Sequence, residues 1–254
     1  MGQMKSIERK NVIFILVEPQ YPGNIGSAAR ALKTMGFSRL RLVNPANPNA
    51  PQARWMAHAS DEILKAAEIF PNLKSALKDV HFAIATTQRE REFHFPFYTP
   101  KQLAAKMADL SAQHMVALVF GREPSGLTNE EIACCHAIST IPAAVNHPSL
   151  NLAQAVMVYA YELFNFKTES EKSYNWRLAS QPELTALYER LQQSLQRVGF
   201  QPMDDWDSFM MRFKRMFGRL PPEVRDVRLM HKILQAFNIY IDQLEKKVKE
   251  QDQS

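Results

Sequence analysis

Three polar segments carry the side chains best suited to binding and reaction, and each stands between a predicted strand and a predicted helix. They span residues 18–30, 120–127 and 141–151. Open α/β sheets bind ligands in the crevice at the carboxyl ends of the strands, where such segments lie together. The first segment holds Asn24 and Arg30. A guanidinium is a planar fork of donors that suits a phosphate, so this segment indicates a polyanionic ligand.

The glycine spacing within the first segment distinguishes a dinucleotide-binding loop from another kind of phosphate site. Gly23-Asn-Ile-Gly26 lacks the Gly-x-Gly-x-x-Gly spacing that lets a backbone approach a pyrophosphate, which disfavours a nicotinamide enzyme. On a helix that begins near Asn24, Gly26 and Arg30 share one face, and a helical arginine leans toward the N-terminus. We therefore expect Gly26 to leave a space in which Arg30 holds a phosphate or a ribose. Alternatively, Arg30 forms a surface salt bridge.

Strand and helix patterns alternate through the first two-thirds of the chain. They predict an α/β fold with a mostly parallel sheet and helices on both faces. The predicted strands span residues 11–17, 39–43, 80–86, 115–120 and 137–141. The predicted helices span residues 24–35, 61–70, 100–110 and 151–164. Thr128 and Glu131 form a capping-box pattern ahead of a further short helix.

Composition is that of an ordinary folded protein. With 254 residues, 46% hydrophobic and 22% charged, the chain is long enough for one large domain with a small appendage. Apolar runs such as residues 12–17 are far shorter than the roughly 20 residues of a membrane span. No signal-peptide cleavage site follows that run, so we expect a cytoplasmic protein with no membrane partner. Cys134 and Cys135 are adjacent, which predicts neither a disulfide framework nor a metal site.

The charge distribution favours a polyanionic partner. The formal charge is +5, and residues 212–232 contain seven basic and two acidic residues, interleaved with phenylalanines. One interpretation is a surface that contacts phosphates through Arg212, Lys214 and Arg215. The alternative is a solvated helix pair whose aromatic face packs in a core.

A polar stretch divides the chain into two predicted parts. Residues 165–181 read as a linker, because they are rich in charged and hydroxyl side chains. The main α/β domain then spans residues 1–164, and a helical extension spans residues 182–254. We expect the basic stretch to make this extension the part that contacts the phosphate backbone of a nucleic acid.

The polar segments contain three motifs that occur together in a known family. They are Asn24-x-Gly26-x-x-x-Arg30, Phe120-Gly-x-Glu123-x-x-Gly126-Leu, and Ile141-Pro142 followed by Ser149-Leu-Asn151. In this order and with these separations they resemble the SPOUT superfamily of RNA methyltransferases, and within it the TrmH-like 2'-O-ribose enzymes. The resemblance covers residues 12–163, and the basic helical tail adds to it.

The resemblance implies a topology, a cofactor and an assembly. It implies a C-terminal trefoil knot in the α/β domain, formed where the chain threads after the fifth strand, although knots are rare in proteins. It implies S-adenosylmethionine as cofactor, no metal, and a homodimer with its active sites at the subunit interface. The implied activity is 2'-O-ribose methylation of tRNA, at a cytidine or uridine at nucleotide 32 of the anticodon loop. Alternatives are 2'-O-methylation of ribosomal RNA and a non-catalytic RNA-binding protein of the same fold.

The resemblance also assigns residues to roles. The implied catalytic residues are Arg30, Ser149 and Asn151. The implied cofactor-binding residues, which act mostly through backbone groups, are Thr86, Thr87, Gln88, Gly121, Ile141, Pro148, Ser149 and Leu150. The implied substrate-binding residues are Asn24, Arg89, Glu123, Arg212, Lys214 and Arg215. Gln88 stands where a small residue is usual, and Pro148 lacks the N–H that a small hydroxyl residue offers there.

Physical chemistry constrains two of these roles. In the family, Arg30 is often proposed to help deprotonate the ribose hydroxyl, but a guanidinium is a poor base at neutral pH. We therefore expect Arg30 to clamp the phosphate next to that hydroxyl, and the phosphate to accept the proton. Glu123 either pairs with Asn24 or Arg30, or caps the helix that begins near Thr128.

Overall fold

The computed structural model describes residues 4–88, 95–144, 150–169, 177–219 and 222–251. Arg89, Pro148 and Ser149, which have predicted site roles, lie outside these residues. The strands are, in chain order, β1 (Met4–Ser6), β2 (Val12–Val17), β3 (Arg39–Val43), β4 (Glu68–Phe70), β5 (Phe82–Thr86), β6 (Phe97–Tyr98), β7 (Val116–Phe120), β8 (Ala137–Ser139) and β9 (Lys167–Glu169). The helices are α1 (Pro22–Thr34), α2 (Pro51–Ala57), α3 (Asp61–Lys65), α4 (Leu73–Ala76), α5 (Pro100–Ser111), α6 (Asn129–Ala133), α7 (Leu152–Asn165), α8 (Gln181–Arg197), α9 (Trp206–Arg219) and α10 (Val224–Gln251).

Seven strands of the described residues form one sheet, in the order β4, β3, β2, β7, β5, β8, β6. Every neighbouring pair in this sheet is parallel. Thr86 at the end of β5 is level with Phe120 at the end of β7 and with Ser139 at the end of β8. The predicted α/β class and parallel sheet are confirmed. The three polar segments therefore leave the sheet at one edge, which we call the carboxyl edge.

Helices cover both faces of the sheet, which explains why the interior strand β2 is apolar along its whole length. Successive side chains of a strand point to opposite faces. Phe14 and Leu16 pack in a buried cluster that includes Leu32 of α1 and Val156 of α7. Ile15 packs in a second cluster on the other face. All six residues of β2 are buried, so neither face tolerates the polar alternation of a surface strand.

One predicted helix is wrong in its second half. The helix expected over residues 61–70 ends at Lys65, and Glu68–Phe70 forms β4. There, β4 pairs with β3, which brings Val43 level with Phe70. Pairing with a buried strand satisfies the backbone groups of this segment and overrides its local helical spacing.

The C-terminal helices form a core of their own and dock on the opposite edge of the sheet, which we call the amino edge. Gln181 at the start of α8 donates its backbone N–H to Val80 at 3.3 Å and its side-chain Nε2 to the carbonyl of Cys134 at 2.9 Å. An ideal Cβ on Gly218 of α9 would lie 2.2 Å from the carbonyl oxygen of His136. Val80 and His136 lie just before β5 and β8, so these contacts lie at the edge opposite the carboxyl edge. The β9 strand, within the predicted linker, pairs antiparallel with β1.

Gly26 marks the closest approach of α1 and α2. An ideal Cβ at this position would lie 2.0 Å from the carbonyl oxygen of Ala53 and 3.0 Å from the backbone nitrogen of Ala57. The space expected beside Gly26 for a phosphate or ribose is therefore filled by the backbone of α2, and that expectation is wrong. Glycine is required here because only a residue without a side chain lets the two backbones meet.

We predict that Gly26→Ala destabilises the fold by about 1–3 kcal/mol, because the backbone of α2 must move away. Gly23→Ala in the same helix is the matched control, since its Cβ would meet only the side chain of Met56, at 3.6 Å. Alanine is the better helix former, so this control should be neutral or slightly stabilising. Denaturant unfolding measures both variants. Wild-type stability in Gly26→Ala would contradict the close packing.

Candidate functional site

A carboxylate from the loop after β7 holds the start of α1. The N-cap residue Tyr21 makes no side-chain cap bond of its own. Instead, Glu123 accepts the backbone N–H of Gln20 at 2.9 Å and that of Tyr21 at 3.4 Å. A carboxylate is favourable at this position because the first N–H groups of a helix lack partners and carry the positive end of its dipole. The helix after Thr128 is capped by Glu131, so Glu123 serves the first segment.

Two amide side chains extend this contact into a chain of hydrogen bonds. Nδ2 of Asn24 donates to Oε1 of Glu123 at 2.9 Å, and Nδ2 of Asn151 donates to Oδ1 of Asn24 at 2.8 Å. Asn151 is also the N-cap of α7, where its Oδ1 accepts the backbone N–H of Ala153 at 2.9 Å. One predicted residue from each polar segment thus meets the others, although Asn24 and Asn151 are 127 positions apart in the chain. We call this chain the amide relay.

The amide relay borders an open groove of about 640 Å³. This volume lies in the range of small-molecule sites. Residues at the starts of α1 and α7, residues of α2, and Glu123 line the groove. The lining residues are Tyr21, Pro22, Gly23, Asn24, Gln52, Met56, Glu123, Leu150 and Asn151.

Arg122 links three segments at the carboxyl edge, a role that no motif or spacing predicts. Its Nε donates to Oε2 of Glu18 at 2.8 Å, while Nη1 and Nη2 donate to the two carboxylate oxygens of Glu131 at 2.9 Å. The hydrogen bonds to Glu131 and Glu18 raise the pKa of Arg122, and the bond from Arg122 lowers the pKa of Glu18. Glu18 has a positive φ of 47°, so the exit from β2 is a strained turn held by this ion pair.

The loops after β5 and β8 are bonded to each other at the same edge. The backbone N–H of Thr87 donates to the carbonyl of Ser139 at 3.0 Å, and Oγ1 of Thr140 donates to the carbonyl of Thr87 at 2.6 Å. Oγ1 of Thr86 donates to the carbonyl of Val119 at 2.9 Å. The hydroxyl of Thr86 is thus engaged inside the protein.

Gly121 is explained by the loop that follows it. An ideal Cβ there would lie 2.2 Å from the carbonyl carbon of Gly126. Arg122 and Gly126 exchange backbone hydrogen bonds at 3.3 and 2.8 Å, which folds the loop back on itself. The glycine lets this tight loop form. Glu123 is part of the loop, so its carboxylate is positioned by it.

Arg30 is the predicted catalytic residue that the structure does not bring to the groove. It lies exposed on α1, and it is absent from the residues that line the groove within the described part of the chain. Gln88 and Ile141 stand at the loops after β5 and β8, both partly buried. Leu150 reaches the groove directly.

The three predicted basic contacts lie on α9, near the amino edge of the sheet. Arg212 forms an ion pair with Asp204, with Nη2 to Oδ1 at 2.9 Å, and its guanidinium covers the ring of Phe209. Lys214 and Arg215 are partly buried, and neither has an ion-pair partner among the residues that the structure describes. Phenylalanines of this helix, including Phe209, pack against the helical core. The phenylalanines of α9 thus contribute to the core of the helical extension.

Comparison with known proteins identifies the class that this fold and groove define. Residues 11–161 match the SpoU rRNA Methylase family, and residues 182–252 match the C-terminal domain of the tRNA methyltransferase TrmJ. The chain belongs to the SpoU methylase family, which confirms the resemblance to RNA methyltransferases.

Individual relatives narrow this class. The uncharacterized tRNA/rRNA methyltransferase LasT of Escherichia coli K12 is 40% identical, and the match covers 88% of this chain and 95% of that protein. The tRNA (cytidine/uridine-2'-O-)-methyltransferase TrmJ of Sodalis glossinidius is 36% identical, over 88% of this chain and 90% of that protein. The crystal structure of TrmJ from Z. mobilis ZM4 matches with a TM-score of 0.77 and 32% identity, over 89% of this chain and 98% of that one. The chain is therefore similar to TrmJ over most of its length.

We predict that Arg122→Gln lowers the free energy of unfolding by about 1–2 kcal/mol near pH 7, because it removes a charged bidentate contact. The folded pKa of Glu18 lies below its usual value of 4.5. Its pairing therefore stabilises the fold above that pH and is lost as the pH falls through the lowered pKa. The gap between wild type and variant should narrow on acidification, which unfolding curves at several pH values measure.

Arg197→Gln is the control for this experiment. Its guanidinium is paired with Asp242 and Glu245 on the exposed side of α8 and α10, where solvent screens the pair. It should change stability less than Arg122→Gln. A gap between wild type and Arg122→Gln that stays constant from pH 7 to pH 3 would contradict the assigned role of the Glu18 pair.

Proposed function

We propose that this protein is an S-adenosylmethionine-dependent 2'-O-ribose methyltransferase of tRNA that acts on a cytidine or uridine at nucleotide 32 of the anticodon loop. The amide relay is the observation that carries this proposal, because it joins Asn24, Glu123 and Asn151 from three separate segments at one groove. Family membership and the similarity to TrmJ over both parts of the chain support it.

The carboxyl edge fits the proposed cofactor. The proposed cofactor residues lie at or after the ends of three adjacent strands: Thr86, Thr87 and Gln88 at β5, Gly121 at β7, and Ile141 and Leu150 after β8. Pro148 and Ser149 complete the proposed set. Ile141 and Leu150 offer apolar side chains to an adenosine, and Leu150 lines the groove. When bound, S-adenosylmethionine supplies a methyl group on a sulfonium, so that a bond to the ribose 2'-oxygen forms as the carbon–sulfur bond breaks.

The residues of the chain then align the acceptor. We assign Arg30 to the phosphate next to the target ribose, where its guanidinium is a clamp and not a base. The hydroxyl proton passes to that phosphate. Ser149 and Asn151 complete the catalytic set, Asn24 and Glu123 hold the nucleotide, and Arg89 contacts RNA near the target.

The proposal includes an assembly and a topology. A homodimer with sites at the subunit interface would bring Arg30 of one protomer toward the groove of its partner, which its exposed position on α1 supports. Tyr161 and Phe164 on α7 are exposed apolar side chains that such an interface would cover. A trefoil knot at the carboxyl edge would hold the cofactor loops together. The proposed place of action is the cytoplasm. No helix among the described residues is both long and apolar enough to cross a membrane.

Ribosomal RNA is the second candidate substrate. The matched family is named for rRNA methylation, and the relative from Escherichia coli carries both RNA classes in its name. The chemistry at the groove is the same for both, because a ribose hydroxyl and its phosphate are common to all RNA. A non-catalytic RNA-binding protein is the third reading.

The test is methyl transfer from labelled S-adenosylmethionine to unmodified tRNA and to ribosomal RNA, with the modified nucleotide mapped by mass spectrometry. We expect label in tRNA at nucleotide 32. Label confined to ribosomal RNA would select the second candidate, and cofactor binding without transfer to either RNA would select the third. Arg30→Ala should lower the rate by about 100-fold, the cost of a misaligned acceptor, and leave cofactor affinity unchanged. Loss of cofactor binding in this variant would contradict the clamp.

The salt dependence of RNA affinity tests whether the helical extension contacts phosphates. Each lysine or arginine that neutralises a phosphate contributes about 0.7–0.9 to the slope of log affinity against log salt concentration. Lys214→Gln with Arg215→Gln should therefore flatten the slope by roughly 1–2 units. Arg212→Gln is the matched comparison and should change it less, because Asp204 already compensates that charge. An unchanged slope in the double variant would assign this face to packing alone.

A further inference from the structure

The orientation of both amides in the relay is fixed by the backbone. The N–H of Ala153 can only donate, so the atom of Asn151 that meets it at 2.9 Å must be the oxygen. Nδ2 of Asn151 then faces Asn24, whose oxygen accepts it at 2.8 Å. Nδ2 of Asn24 in turn faces Glu123, whose carboxylate accepts it at 2.9 Å and also accepts two backbone N–H groups. Neither amide can flip without breaking a bond.

This direction decides what the groove can bind. Each amide nitrogen carries two hydrogens, of which the relay uses one. Among the described residues, the second hydrogen of Asn24 and that of Asn151 have no partner, and each amide oxygen already accepts a bond. Each amide oxygen keeps one free lone pair, but the hydrogens without a partner are on the two nitrogens, so the relay offers a ligand two neighbouring N–H donors. The walls around them carry exposed side chains of Tyr21, Met56 and Leu150, which suit the flat face of a base.

We propose that these two N–H groups bind the O2 carbonyl of the target pyrimidine, an inference that rests on the proposed function. Cytosine and uracil differ at the two other positions of their pairing edge: N3 accepts in one and donates in the other, and position 4 is an amine or a carbonyl. Only O2 is an acceptor in both. A pair of donors therefore accepts either pyrimidine, and it opposes guanine, whose 2-amino group is itself a donor.

The experiment replaces one oxygen of the RNA at a time. Anticodon stem-loops carry uridine, 2-thiouridine or 4-thiouridine at the target, and kcat/KM for methyl transfer is measured. Sulfur is a weak acceptor, so 2-thiouridine should lower kcat/KM by about tenfold. The matched 4-thiouridine should leave it within about twofold, because no donor of the relay faces position 4.

Variants show whether the relay causes this difference. Asn24→Ala removes one donor from inside α1, and Asn151→Ser removes the other while it keeps a helix-capping oxygen. In both variants the ratio of uridine to 2-thiouridine rates should fall toward one. Gln52→Ala changes the groove wall outside the relay and should keep the wild-type ratio.

Four results would overturn the inference. Equal rates for uridine and 2-thiouridine with the wild-type enzyme would exclude O2, while methyl transfer itself would still support the proposed function. A tenfold ratio that persists in both relay variants would assign O2 to other groups. A relay-dependent loss on phosphorothioate substitution next to the target, with none on 2-thiouridine, would assign the donors to a phosphate. No transfer to any pyrimidine would remove the proposed function together with this inference.

Discussion

The register of the parallel sheet is the constraint on which the site depends. Thr86, Phe120 and Ser139 end three adjacent strands at one level, and β2 joins them because Leu16 is level with Phe120. The segments that leave these strands therefore start side by side, although more than a hundred residues separate the first from the last. A shift of one residue in any pair would turn every side chain of that strand to the other face of the sheet. The buried clusters on both faces exclude such a shift, so the core fixes where the groove forms.

The hydrogen bonds that border the groove also cap the N-termini of α1 and α7. Glu123 supplies to α1 the cap that Tyr21 does not provide, and Asn151 caps α7 with the oxygen that fixes its amide. Arg122, next to Glu123, faces the opposite way and pairs with Glu18 and Glu131. Adjacent side chains of opposite charge thus anchor one loop to two helices and to the exit of β2. The orientation of the amide relay consequently has little freedom. Reversal of Asn151 would leave the N-terminus of α7 without its cap, and reversal of Asn24 would break its bonds to Glu123 and Asn151.

Residue pattern predicted five of the seven strands of the sheet. The family motifs singled out Asn24, Glu123 and Asn151 but left the partner of Glu123 open, and the reasons for the failures are physical. The strands of the α/β domain are apolar on both faces, which gives a strong local signal. Segment 61–70 has no such signal, because β4 exists only by pairing with β3. The expected ligand space beside Gly26 is wrong because a sequence does not show which element fills the space beside a glycine. Arg122 pairs with groups 104 and 9 positions away, and such separations leave no periodic trace.

The two polar surfaces of the chain lie at opposite edges of the sheet. The groove is at the carboxyl edge, whereas α9 with Lys214 and Arg215 docks through Gly218 on His136 at the amino edge. A strand of five residues such as β5 spans about 17 Å, which sets the scale of the distance between the two edges. A free nucleoside can occupy the groove but is too small to reach the basic helix of the same chain. A folded RNA is large enough to contact both the groove and the basic helix, either along one protomer or across to a second. This geometry favours a macromolecular substrate over a nucleotide.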